Sequence, residues 1–254
     1  MDEASVRHYE EGIEQNRLLA GGDRLELVRT LELLDDALPT PPARVLDVGG
    51  GPGVYAARLA GAGYEVRLVD VLPLHVAQAQ ADGRFQAEVG DARDLAQIGD
   101  ASVDAVLLLG PLYHLTERDE RVQALAEARR VVRLGGVVAA AAISRYASLI
   151  DGAVHGFLDD PRFVEIVKRD LEEGQHRNPE NVEDWFTTAY FHLPADLRSE
   201  VEEAGLTVER LVGVEGPGGW VGDWPDQRER ILRAARLAEE IPALSSHMLC
   251  LARR

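Results

Sequence analysis

The run Val45-Leu46-Asp47-Val48-Gly49-Gly50-Gly51-Pro52-Gly53 constrains this chain more than any other segment. Apolar residues around a single acid read as a buried strand, and the glycines that follow read as a tight turn into a helix. Glycine supplies backbone conformations closed to other residues and lets a ligand approach the main chain closely. A strand that breaks through such a turn into a helix is the opening unit of an open α/β sheet, whose ligands bind beyond the carboxyl ends of the strands. A pyrophosphate fingerprint, Gly-x-Gly-x-x-Gly, would place its third glycine at position 54, where this chain has Val54. Asp47 is also a poor neighbour for a diphosphate and a natural partner for an ammonium group. The turn therefore argues against a dinucleotide.

Downstream, strands and helices alternate. Strands are expected over 44–48, 65–70, 85–89, 103–109 and 137–143, with helices over 54–61, 74–81 and 118–133. Thr116-Glu117-Arg118-Asp119 matches a capping box, and Leu134-Gly135-Gly136 reads as a helix end. Helices are also expected over 1–38, before the stiff Pro39-Thr40-Pro41-Pro42 connector. The alternation lapses over 144–192, a helical or irregular stretch with seven of the chain's fourteen aromatic residues. It resumes with a helix over 194–204, a strand over 206–214, a helix over 225–240 and a last strand over 247–252. The expected fold is α/β: a doubly wound, mostly parallel seven-stranded sheet with helices on both faces. N-terminal helices and core occupy 1–143, an inserted helical cap 144–192, and the completion of the core 193–254.

Composition narrows the function. The 254 residues are 46% hydrophobic and 28% charged, ordinary globular values that allow one large domain. A net charge of −17 with no concentrated basic face argues against a nucleic-acid partner. No apolar run reaches the roughly 18 residues of a spanning helix, so no membrane partner is expected. The opening Met-Asp-Glu lacks a signal-peptide layout, and the single Cys250 rules out an internal disulfide. A cytoplasmic location is expected, and a homodimer is an admissible assembly.

Asp47, Gly49, Gly51 and Gly53 satisfy the Asp/Glu-x-Gly-x-Gly-x-Gly pattern, and in this the chain resembles the class I S-adenosylmethionine-dependent methyltransferases. The resemblance covers residues 1–143 well and the last strands loosely. It implies S-adenosyl-L-methionine as cofactor, with its methionine part against Gly49, Gly50 and Gly51. Asp70, at the end of the second strand, would accept the ribose hydroxyls, and Val71 and Leu72 would flank adenine. Asp91, with Asp94 as its rival, would accept the adenine amino group beside the Ala92 amide. The loop from Leu109 would wall the sulfonium from the acceptor. In related branches an arginine at about the distance of Arg24 holds the cofactor carboxylate, with Arg17 the alternative here, and Tyr9 would cover the sulfonium.

For a hydroxyl or amine acceptor, histidine is the natural base near neutral pH. His114, on the loop after the fourth strand, is the first candidate and His192 the second; His155, His176 and His192 all lie in the aromatic-rich insertion. His8, His75 and His247 fall at no evident cleft position. Tyr113, Phe186, Tyr190, Trp220 and Trp224 are the expected acceptor-lining aromatics. No His/Cys/Asp set has metal-ligand spacing, so no metal is expected. The expected activity is methyl transfer to an O, N or C atom of a small molecule, such as a secondary metabolite or quinone-like ring. The alternative is a non-methylating protein that binds the same cofactor, such as a cyclase, decarboxylase or sensor, because fold does not fix function.

Overall fold

The computed structural model describes residues 23–182, 184–220 and 227–254. Strand β1 (Arg44–Val48) runs through the Gly49–Gly53 turn into helix α2 (Val54–Gly61), and helix α1 (Asp23–Ala37) precedes it. β2 (Glu65–Asp70), α3 (Pro73–Gln80), β3 (Gln86–Val89) and β4 (Val103–Leu108) follow, then a one-turn helix α4 (Pro111–His114), α5 (Arg118–Val131) and β5 (Val132–Ser144). The inserted segment holds α6 (Ala147–His155), α7 (Pro161–Glu173), β6 (Gln175–His176) and β7 (Ala189–His192). α8 (Pro194–Glu203), β8 (Thr207–Gly213), α9 (Arg228–Ala238) and β9 (His247–Arg253) complete the described chain.

Strands β3, β2, β1, β4 and β5 pair in that order, all parallel. β9 adds antiparallel to β5, and β8 antiparallel to β9. Alternation along these strands feeds two cores. Leu46, Val48, Val106, Leu108, Val138 and Ala140 pack with Leu125 of α5 and Leu197 of α8. Val45, Ala105, Leu107, Val137 and Ala139 point the other way, against Leu33 and Leu34 of α1 and Ala56 and Leu59 of α2. A sheet buried on both faces is the doubly wound arrangement expected, with helices covering each side. The strand order turns around between β1 and β4, which opens a crevice at their carboxyl ends.

Three local expectations need correction. Glu117, not Thr116, precedes the first turn of α5, and no side chain caps it. The Leu115 and Thr116 carbonyls instead accept hydrogen bonds from Arg121 Nη1, at 2.9 and 3.0 Å, which holds this strip in the loop. Gly135-Gly136 does not end a helix. α5 stops at Val131, and the glycines lie in an irregularity where β5 pairs first through Val132 and next through Val137. Gly135 takes φ +75° there. The inserted segment also contributes strands: Phe191 and His192 of β7 pair with Ile143 and Ser144 at the end of β5, and β6 pairs with β7. Its aromatic and apolar residues Ala189, Tyr190 and Phe191 suit a half-buried strand.

Candidate active site

A cleft of about 1050 Å³, counting space open to solvent, lies at the crevice between β1 and β4. Its floor is the Gly49–Gly51 turn, and its walls come from α1, the ends of β2 and β3, and the 109–115 strip. The glycines are required by contact. A Cβ on Gly49 would stand 2.6 Å from Pro111 Cγ, and one on Gly50 would stand 2.6 Å from Asp47 Oδ2. Gly49 and Gly51 also take φ +68° and +55°, where side chains are strained.

Asp47 is completely buried at the cleft floor. Neither carboxylate oxygen accepts a well-formed hydrogen bond among the described residues, although the Ala56 amide favours the charged form. Burial first, and the charge of Asp70 second, push its pKa up to about 7. A buried carboxylate this poorly satisfied favours a cationic partner. Asp70 is in the opposite condition. Oδ2 accepts from the Gly51 amide and Oδ1 from the Leu72 amide, each at 2.9 Å, while His75 Nδ1 lies 3.3 Å from Oδ1. These bonds lock the turn after β1 to the end of β2 and fix the carboxylate at the cleft wall.

Beyond Asp70, the half-exposed Val71 and the buried Leu72 continue the wall. Asp91 and Ala92 line it after β3, whereas the rival Asp94 does not and instead caps the Ala96 amide at 3.1 Å. The Arg93 guanidinium beside Asp91 bonds both its oxygens, at 3.0 and 2.6 Å, and holds its carboxyl below the usual carboxylate range. On the opposite side, Leu109, Gly110, Tyr113 and His114 line the cleft. The His114 ring lies 4.6 Å from Tyr113 and stacks 6.3 Å from Phe186, so Phe186 backs this wall although it is not part of the lining.

Several expected residues stand elsewhere. His192 is fully buried, its Nε2 is 3.2 Å from Glu200 Oε2, and burial lowers its pKa. Glu200 is in turn gripped by Arg121, whose Nη2 lies 2.7 Å away. Tyr190 lies face-on beneath the Arg121 guanidinium, 3.7 Å from its ring centre. Both residues thus belong to a network joining the inserted segment to α5 and α8, outside the cleft lining. Of the other insert histidines, His155 is exposed and paired with Asp151, and the buried His176 is bonded to Asp170. Arg24 is exposed on α1 and does not line the cleft. Glu26 does, because two residues at 100° each turn the helix nearly to its other side. Tyr9, Arg17, Trp224 and the Trp220 side chain lie outside the described residues.

Glu26, His75 and Arg93 are cleft residues that sequence reasoning did not single out. Five residues after Asp70, in a helix started by Pro73, was the available signal for His75; nothing comparable marked Glu26.

A family profile described as a methyltransferase domain matches residues 46–140, from within β1 through the glycine turn and into β5. The ubiquinone biosynthesis O-methyltransferase of Thiobacillus denitrificans is 30% identical over 191 residues, covering 72% of this chain and 73% of that protein. The chain belongs to the class I S-adenosylmethionine-dependent methyltransferases. Among solved structures, a methyltransferase of this dependence from Mesorhizobium loti superposes with a TM-score of 0.64 at 15% identity, covering 91% of this chain and 100% of that one. Another from Methanosarcina mazei gives 0.62 at 17% identity, covering 87% and 96%. These two speak for the fold. This methyltransferase uses S-adenosyl-L-methionine, and its cleft fits that cofactor: Asp47 offers an unsatisfied anion to an ammonium, and the glycine floor leaves main chain exposed to it. None of the helices among the described residues is long and apolar enough to cross a membrane.

Proposed function

We propose that this methyltransferase alkylates a hydroxyl oxygen of a small, flat, ring-bearing acceptor, with His114 as the base. The observation that carries the reading is the His114 ring in the cleft wall, tilted against Tyr113 and near-parallel to Phe186, on the side opposite Asp70. The likeness to proteins named ubiquinone biosynthesis O-methyltransferase supports an oxygen acceptor on a ring.

In this reading Asp47 meets the cofactor ammonium, Gly49, Gly50 and Gly51 follow its methionine part, and Asp70 accepts from the ribose hydroxyls. Val71 and Leu72 hold the adenine faces, Asp91 accepts from its amino group, and the Ala92 amide donates to its ring. Leu109 separates this half of the cleft from the acceptor half, which Tyr113 and Phe186 flank. When bound, the sulfonium supplies an activated methyl group that the acceptor oxygen takes in line, so that an O–C bond forms as the S–C bond breaks. His114 takes the acceptor's hydroxyl proton, and the walls hold the two reactants in register, a large part of the acceleration in such displacements.

The test is transfer of labelled methyl from S-adenosylmethionine to a panel of phenols, hydroxyquinones and aliphatic alcohols. Methylation of a ring hydroxyl is expected, and His114→Gln is expected to lower its kcat by ~10²–10⁴-fold while leaving S-adenosylhomocysteine affinity unchanged. The lost rate should return as pH rises and the acceptor ionises unaided. Turnover within about threefold of wild type from pH 6 to 9, well under the base effect, would remove His114 from the mechanism.

A further inference from the structure

Beside the cleft lining, which Glu26 joins, three ligand-type side chains converge from separate elements. Glu26 comes from α1, Glu215 follows β8, and His247 opens β9. His247 Nδ1 lies 4.0 Å from Glu26 Oε2 and in direct contact with Glu215 Oε1. One donor atom from each residue falls within 4.8 Å of the other two. Bonds of about 2.1 Å at tetrahedral angles put donor atoms roughly 3.4 Å apart, so a small cation would need side-chain adjustments of about an ångström.

The supporting shell is already built. The second oxygen of Glu215, Oε2, accepts from Ser245 Oγ at 2.6 Å and from the His247 amide at 3.0 Å. Ser245 is fully buried, and its oxygen also accepts from the amides of Glu215 and Gly216, at 2.8 and 3.1 Å. Glu215 is therefore held by one oxygen and presents the other to His247. Outer partners that orient a ligating carboxylate in this way are a regular part of metal sites. Glu26 contributes both to this cluster and to the cleft lining.

We propose that Glu26, Glu215 and His247 form a binding site for a divalent first-row transition ion at the edge of the cleft. One imidazole and two carboxylates suit Zn²⁺, Mn²⁺, Fe²⁺ or Co²⁺ better than Mg²⁺ or Ca²⁺, which favour oxygen ligands throughout. Three protein ligands leave at least one coordination position for water or a ligand entering the cleft. The site joins α1 to the β8–β9 corner, and it stands whatever the acceptor proves to be. No ligand spacing is visible in the sequence because each residue comes from a different element.

The experiment is calorimetric titration of the chelator-treated full chain with Zn²⁺, and with Co²⁺ followed by its visible absorption. One ion per chain is expected, bound with micromolar or tighter affinity. Glu26→Gln and His247→Gln should each weaken binding at least a hundredfold, Ser245→Ala should weaken it about 10–100-fold through the outer shell, and the exposed His155→Gln should leave it unchanged. Thermal unfolding in chelator confirms that each variant folds, and the isosteric Glu26→Gln keeps the test open if His247→Gln does not. No binding by the wild-type chain would mean that the cluster is an ion pair only. Undiminished binding by folded Glu26→Gln would place the ion elsewhere. Either result overturns the proposal, and neither depends on methyl transfer.

Discussion

Replacing Asp47 by Asn should stabilise the protein without cofactor while ruining its cofactor site. Asp47 is wholly buried, and its pKa is pushed from the usual value near 3.8 up to about 7. Between those values the folded chain keeps a proton that the unfolded chain has lost, so stability falls as pH rises. Each step of one in pKa is worth 1.36 kcal/mol, which makes the burden of the ionised carboxylate about 4 kcal/mol above pH 7. The neutral amide escapes it. Relative to Asp47→Asn, the wild type should lose about 1.4 kcal/mol per pH from 4 to 7 and then level off. A cofactor ammonium favours the ionised form, so binding should expel the proton. S-adenosylhomocysteine affinity should therefore fall about tenfold per pH below 7 in wild type, and stay low and flat in the variant. Urea unfolding at pH 5, 7 and 8.5, with calorimetry at the same values, tests both halves. An Asn variant with no pH-dependent advantage, or one that binds the ligand like wild type, would refute the account.

Asp70→Ala removes the acceptor of the Gly51 and Leu72 amides, and calorimetry should show cofactor affinity weakened by ~1.5–3 kcal/mol. Gly50→Ala sets a Cβ 2.6 Å from Asp47 Oδ2 and 2.7 Å from Leu68 Cδ1, so chemical denaturation should show a loss of ~1–3 kcal/mol along with cofactor binding. Arg121→Met strands the buried Glu200 and should cost ~3–5 kcal/mol, of which the double variant Arg121→Met/Glu200→Leu should recover only part in the same unfolding assay, because the Leu115 and Thr116 carbonyls and His192 lose their partners.

Local chemistry was legible and long-range placement was not. The turn after β1 and the acids at the ends of β2 and β3 could be placed at the cleft because each sits within a few residues of a strand end. The sheet's parallel half followed from alternation, and so did the helices on both faces. Residue type in the insert does not tell that Tyr190 faces Arg121. Nor does it tell that β7 turns His192 toward Glu200, eight residues ahead and on the next helix. Glu26 and Arg24 differ by a helix rotation that only the docking of α1 resolves. His75 looked remote until α3 folded it back against Asp70.

The pairing of Ile143 and Ser144 with Phe191 and His192 has a consequence for how such a chain can diverge. The polypeptide departs from the sheet at Ser144 and returns beside the residues it has just left, and the Arg145 amide donates to the His192 carbonyl at 2.8 Å to close the circuit. An excursion whose two ends already touch can change length at little cost, since loop-closure entropy grows only logarithmically with the residues enclosed. Chain closure therefore puts little constraint on the length of the segment between those ends, whereas the contacts of Tyr190 with Arg121 and of His192 with Glu200 fix its last strand.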